Sequence, residues 1–150
     1  MNRLLRIGLT CLWHVAISGV LFAQPPHLHL YPISIQDGLS NSSVYSIYQD
    51  ARGFLWFGTA EGLNRFDGYD FHIYTHHPQQ PFSIAGEMIT AIDEDPEGNL
   101  WLGVWYGGLN YFEKKTGRFY TYLPDENRPI NKDKNSVWAV AIDRHGYVWA

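Results

Sequence analysis

Cysteine is almost absent: Cys11 is the only one in 150 residues, so no disulfide can form within the chain. Charge is sparse, at 17% of residues, and the net charge is −4 with no basic stripe. That excludes a nucleic-acid binder held by phosphate contacts. The longest apolar-rich run, IGLTCLWHVAISGVLF, carries no charged residue and is short for a membrane span of about 20 residues. No stretch carries a sustained helical period, and no gap has room for a crossover helix. There is no Walker-type phosphate loop, and Ser42 and Ser43 lack the setting of a nucleophile elbow.

What is present is apolar and aromatic. Hydrophobic residues make up 45% of the chain and aromatics 16%, with six Trp. This is a core-forming composition, and the aromatic share favours pleated strands.

The first 23 residues stand apart. MNRLLR is basic, the apolar run follows, and Ala23 before Gln24 offers a small residue for cleavage. This is the grammar of a secretory signal peptide. An uncleaved anchor and a lipid-modified Cys11 are the alternatives. Cleavage after Ala23 would remove Arg3, Arg6 and Cys11, moving the charge from −4 to −6.

A repeat organises the rest. Val44, Ile89 and Val137 recur at intervals of 45 and 48, and so do Gly53, Gly98 and Gly146, and Trp56, Trp101 and Trp149. Gly58 matches Gly103. The second copy then carries one extra residue, so Gly62 matches Gly108 and Leu63 matches Leu109. Within a copy the spacing predicts four short strands: VYSIYQ, FLWFGT, LNRF and FHIY in the first, ITAIDE, NLWLGV, LNYF and FYTY in the second. The third begins with VWAVAI. Ser46, Ala91 and Ala139 keep one place in the first strand small, as a crowded strand near an axis requires. Asp50, Asp95 and Asp143 open turns that Gly53, Gly98 and Gly146 close.

Four-stranded antiparallel sheets at this period are propeller blades. The expected fold is therefore all-β: about two full β-propeller blades plus the start of a third, in an incomplete ring. The expected boundaries are 1–23 signal peptide, 24–36 N-terminal strand, 37–82 first blade, 83–130 second blade and 131–150 start of a third. LHLYPISI, residues 28–35, has the pattern of a strand that completes the last blade and closes the ring. Each repeated Trp is expected to pack between neighbouring blades.

The segment DGLSNSSVYSIYQDARGFLWFGTAEGLNRFDGYDF resembles the first blade of the two-component regulator propeller family, and the resemblance extends over residues 28–150. It rests on D-x-x-G-x-x-W-x-G followed by GLN and an aromatic. It implies the periplasmic sensor region of a hybrid histidine kinase in the inner membrane. It also implies a small-molecule or oligosaccharide ligand, a homodimeric full-length receptor, and phosphorelay through parts beyond this segment. The membrane would be reached only through those parts. The third copy breaks off at Trp149-Ala150, so a fragment of a longer protein is expected. Two blades and part of a third leave apolar surface uncovered. A few hundred Å² at about 25 cal/mol per Å² is several kcal/mol, against a whole-domain stability of about 5–15 kcal/mol. Residues 24–150 made alone are expected to be unstable or to associate through open edges.

No catalytic residue, cofactor site or metal site is assigned. His27 with His29, and His76 with His77, lack a third ligand at matching spacing. The three turn aspartates repeat, which points to structure, because a catalytic residue is normally used once. Departures from the repeat are better candidates. Trp105 and Tyr106 replace Ala60 and Glu61 in the corresponding turn, and two aromatics on a loop tip can stack on a sugar ring. The rival class is an exported propeller enzyme or binding protein, similar to quinoprotein dehydrogenases or streptogramin lyases. A sensor with a diguanylate cyclase or helix-turn-helix output also stays open.

Overall fold

A computed structural model describes residues 30–123 and 135–150. The signal segment, Cys11, His27 and His29 lie outside the described residues. Contacts divide the chain into Met1–Tyr31 and Pro32–Ala150, and everything below concerns the second unit.

Its architecture is two four-stranded antiparallel sheets and a hairpin. The first sheet runs β1 (Val44–Gln49), β2 (Leu55–Thr59), β3 (Gly62–Phe66), β4 (Phe71–Tyr74). The second runs β5 (Ile89–Glu94), β6 (Leu100–Val104), β7 (Gly108–Glu113), β8 (Arg118–Tyr122). Strand order follows chain order in both, the meander of a propeller blade. The third copy forms only a two-residue ladder, β9 (Ala141–Ile142) with β10 (Val148–Trp149).

The turns follow the expected chemistry. Gly53, Gly98 and Gly146 take φ of +88°, +86° and +81°, where a side chain would be strained. The Asp50 Oδ1 accepts from the Arg52 and Phe54 backbone N–H groups at 3.0 Å each. Asp143 does the same for His145 and Tyr147, at 2.8 and 3.0 Å.

Residues 32–34 carry no strand, and Ile35–Asp37 form one 3-10 turn instead. A ring-closing strand needs the last blade as its partner, and none of the described sheets is that blade; from Ser34 onward local hydrogen bonds form instead. Ser34 and Asp37 make a capping box, with Ser34 N donating to Asp37 Oδ2 at 2.8 Å, and Gly38 closes it at φ +106°.

The seam between the sheets is the core. Trp56, Leu63, Ile84, Ile89, Leu100, Leu102, Val104 and Phe112 are all but fully buried there. Trp56 packs edge-on to Phe112 of the second sheet, with centroids 5.8 Å apart, as expected of an inter-blade Trp. Trp101 is half-buried against Tyr111 and Tyr122 of its own sheet, and Trp149 is 63% exposed. Only the two-residue β9–β10 ladder follows the second sheet where a full blade follows the first.

The glycines of W-x-G have a geometric reason. A Cβ on Gly58 would lie 2.6 Å from the Ile89 carbonyl oxygen of the next sheet. One on Gly103 would lie 2.9 Å from the Val137 carbonyl oxygen. The anchor residue of each copy therefore sits directly on the glycine of the copy before it. The link repeats in the backbone: Gly62 N–H donates to Glu87 O at 2.6 Å, and Gly108 N–H to Asn135 O at 2.8 Å.

The asparagine of GLN holds the loop that leads into its own blade. Asn64 Oδ1 accepts from Ser40 N at 2.9 Å, and Asn110 Oδ1 from Ala85 N at 3.0 Å. Both side chains are fully buried, so each must find partners, and each does.

Candidate functional site

The extra residue of the second copy reshapes the turn between β6 and β7. Trp105 N–H is fixed to Met88 O at 3.0 Å, as Ala60 N–H is to Ser43 O at 3.1 Å in the first blade. Tyr106 then adopts φ +60°, unusual for a bulky side chain, and its N–H donates to Ser136 Oγ at 3.3 Å. Gly107 follows where a Cβ would press on the Val104 side chain. The turn is thus held from both sides.

The two aromatics stack on each other, with centroids 4.2 Å apart and planes inclined by 23°. Trp138 lies 6.4 Å from Trp105. Each ring of the pair spends one face on the other. Tyr106 remains 39% exposed.

This pair lines a cleft of about 390 Å³ with Ala60, His76, Glu87 and Met88. The cleft is built from the β2–β3 turn of the first blade, the segment between the blades, and the β6–β7 turn of the second. His76 Nδ1 donates to Ile84 O at 2.6 Å, since a carbonyl can only accept. That bond fixes the ring and leaves Nε2 uncommitted. The wall combines aromatic, imidazole and carboxylate groups, which suits a neutral polar ring bound by stacking and hydrogen bonds. Among the described residues no three His, Cys, Asp or Glu side chains converge as metal ligands. The sequence singled out Trp105 and Tyr106 but not Glu87 or Met88, which nothing marks before the chain folds.

On the β1–β2 turn side lies a charged cluster that the sequence did not reveal. Lys114 Nζ sits 2.7 Å from Asp50 Oδ2 and 2.8 Å from Glu94 Oε1, with its side chain only 12% exposed. Asp50 Oδ2 also accepts from Trp56 Nε1 at 2.9 Å. Burial opposes ionisation of Asp50, but the Lys114 ammonium and the Trp56 indole outweigh it. They hold the carboxyl below its ordinary value of 3.8. Every group here is paired, so the cluster is a clip between blades.

Residues 38–61 and 83–106 match the repeat of the two component regulator propeller family. These blades are two component regulator propeller repeats. Among solved structures, the regulator propeller here is similar to the extracellular domain of a protein described as a hybrid two component system of B. thetaiotaomicron. The identity is 33%, over 79% of this chain and 17% of that one, with a TM-score of 0.68. A second extracellular domain from B. thetaiotaomicron, described as a one component system, is 27% identical over 77% of this chain and 16% of that one, with a TM-score of 0.59. Histidine kinase P4 of Formosa agariphila is 55% identical over 49 residues, which is 33% of this chain and 4% of that protein. The chain therefore spans a small part of each relative. No helix among the described residues is long and apolar enough to cross a membrane.

Proposed function

We propose that this chain is the exported, ligand-sensing part of a membrane-bound two-component receptor whose output is a histidine kinase. The observation that carries it is the 33% identity, over most of this chain, to the extracellular domain of a hybrid two component system. The segment 1–23 directs export, and further blades and the output follow in the parent. The blades do no chemistry. Ligand binding shifts a receptor dimer between two states by its difference in affinity for them, and phosphorelay reports the shift.

The ligand is a small molecule or oligosaccharide that stacks on Trp105 and Tyr106. The cleft volume of about 390 Å³ admits one or two sugar rings. The test is calorimetric titration of the full-length parent protein with a panel of neutral oligosaccharides. At least one is expected to bind, and Trp105→Ala is expected to weaken it by about two- to tenfold, since a stacked ring contributes about 0.5–1.5 kcal/mol. Binding that Trp105→Ala and Tyr106→Ala both leave unchanged contradicts the assignment.

A further inference from the structure

A second groove, of about 300 Å³, lies between the outer strands of the two blades and shares no lining residue with the Trp105–Tyr106 cleft. Its walls come from β4, from the segment 75–83 and from the start of β8. Three observations set it apart from an incidental crevice.

The first is a fixed, strained aromatic. Phe82 holds φ +69°, a region bulky residues rarely occupy. Its carbonyl accepts from Phe119 N–H at 2.9 Å, which ties the loop to β8. The ring is held edge-on to Tyr120, with centroids 5.7 Å apart, yet stays 47% exposed.

The second is a guanidinium with no counter-ion among the described residues. Arg118 stands 4.8 Å over the Phe82 ring. Its cross-strand neighbour is Glu113, the obvious partner. Glu113 instead accepts from Thr116 Oγ1 at 2.5 Å within its own turn. Among the described residues no carboxylate lies within ion-pair distance of Arg118.

The third is a rim of small polar groups. His77 and Ser83 are locked together, with Ser83 Oγ donating to His77 O at 2.9 Å, and Gln80 lies beside them. The Gln80 side-chain amide has no hydrogen-bond partner of its own among the described residues.

We infer that this groove is a binding site for a carboxylated six-membered ring. The carboxylate would pair with the Arg118 fork, whose geometry favours bidentate oxyanions. The ring would lie along Phe82, and ring hydroxyls would reach Gln80. The site is separate from the cleft of the proposed sensor ligand and stands or falls without it.

The test is titration of the full-length parent protein with D-glucuronate, D-glucose and benzoate, followed by calorimetry. Glucuronate is expected to bind at least ten times more tightly than glucose, which has the same ring without the carboxylate. Benzoate separates a sugar acid from an aromatic acid: tighter binding of either one, lost with Arg118, supports the site and names the source. Arg118→Gln is expected to weaken the bound acid tenfold or more, and Arg118→Lys to fall between. Phe82→Gly relieves the backbone while removing the ring, and is also expected to weaken binding. Arg118 is exposed, so its variants should melt like the parent chain. Equal binding of glucose and glucuronate, or acid binding unchanged in Arg118→Gln, overturns the inference. So does acid binding abolished by Trp105→Ala but not by Arg118→Gln.

Discussion

Lys114 of the second blade reaches across the seam to place its ammonium 2.7 Å from the Asp50 carboxylate of the first. It crosses the face of Trp56 at 5.3 Å on the way, and the indole N–H of Trp56 shares the same carboxylate oxygen. Glu94 completes the cluster: one oxygen bonds Lys114, and the other accepts from Ala51 N–H at 2.9 Å in the turn of the first blade. One lysine thus ties the β1–β2 turn of one blade to the β5 end of the next.

Lys114→Met should destabilise the pair of blades by about 3–5 kcal/mol, because it strands two buried carboxylates. The double variant Lys114→Met, Asp50→Asn should recover part of that loss. Denaturant midpoints of the two variants against the parent chain measure both effects. A single variant that unfolds at the parent midpoint would mean the clip contributes nothing.

Acid should loosen the same seam. The Asp50 pKa is lowered in the folded chain, so its contribution to stability is complete above the unfolded value, about 3.9. It is lost as pH falls through the lower folded-state value. Melting temperature should therefore fall as the pH drops below about 4. Asp50→Asn should start from a lower melting temperature and show a shallower acid decline, which a pH series of thermal melts detects.

Gly58→Ala should cost about 1–3 kcal/mol through overpacking against the Ile89 carbonyl. Adding Ser46→Gly removes the side chain that the new methyl meets within its own sheet but leaves the carbonyl of the next blade in place. The second substitution should therefore not restore stability. Full recovery in the double variant would place the tight contact inside the first blade rather than across the seam.

The repeated features of this fold were legible in the sequence because they are local. Asp50 to Phe54 is a turn whose chemistry is complete within five residues, and the same turn returns at Asp95 and Asp143. Trp56 at its repeat position announced an inter-blade core. What could not be seen is what joins residues far apart. Lys114 meets Asp50 across 64 residues, and no matching lysine stands in the first blade, so no period marks it. Gly58 and Gly103 stood out as a matched pair, but only the fold shows the next anchor resting on each. Trp101 and Trp149 share the spacing of Trp56 and not its burial, because burial depends on a neighbour that spacing does not supply. At the candidate cleft, Trp105 and Tyr106 were visible as a departure from the repeat. His76, Glu87 and Met88 join them only through folding. The positive φ of Phe82 has no signal in sequence at all, since the residue type argues against it.

The central claim is that these blades sense outside the cytoplasm, and the location of Tyr69 tests it most directly. Tyr69 is 90% exposed on the β3–β4 turn, and the only native cysteine of the chain is Cys11. In cells carrying the parent protein with Tyr69→Cys, a membrane-impermeant maleimide should label this position before the inner membrane is broken. Labelling that appears only after lysis would place the blades in the cytoplasm and contradict the account.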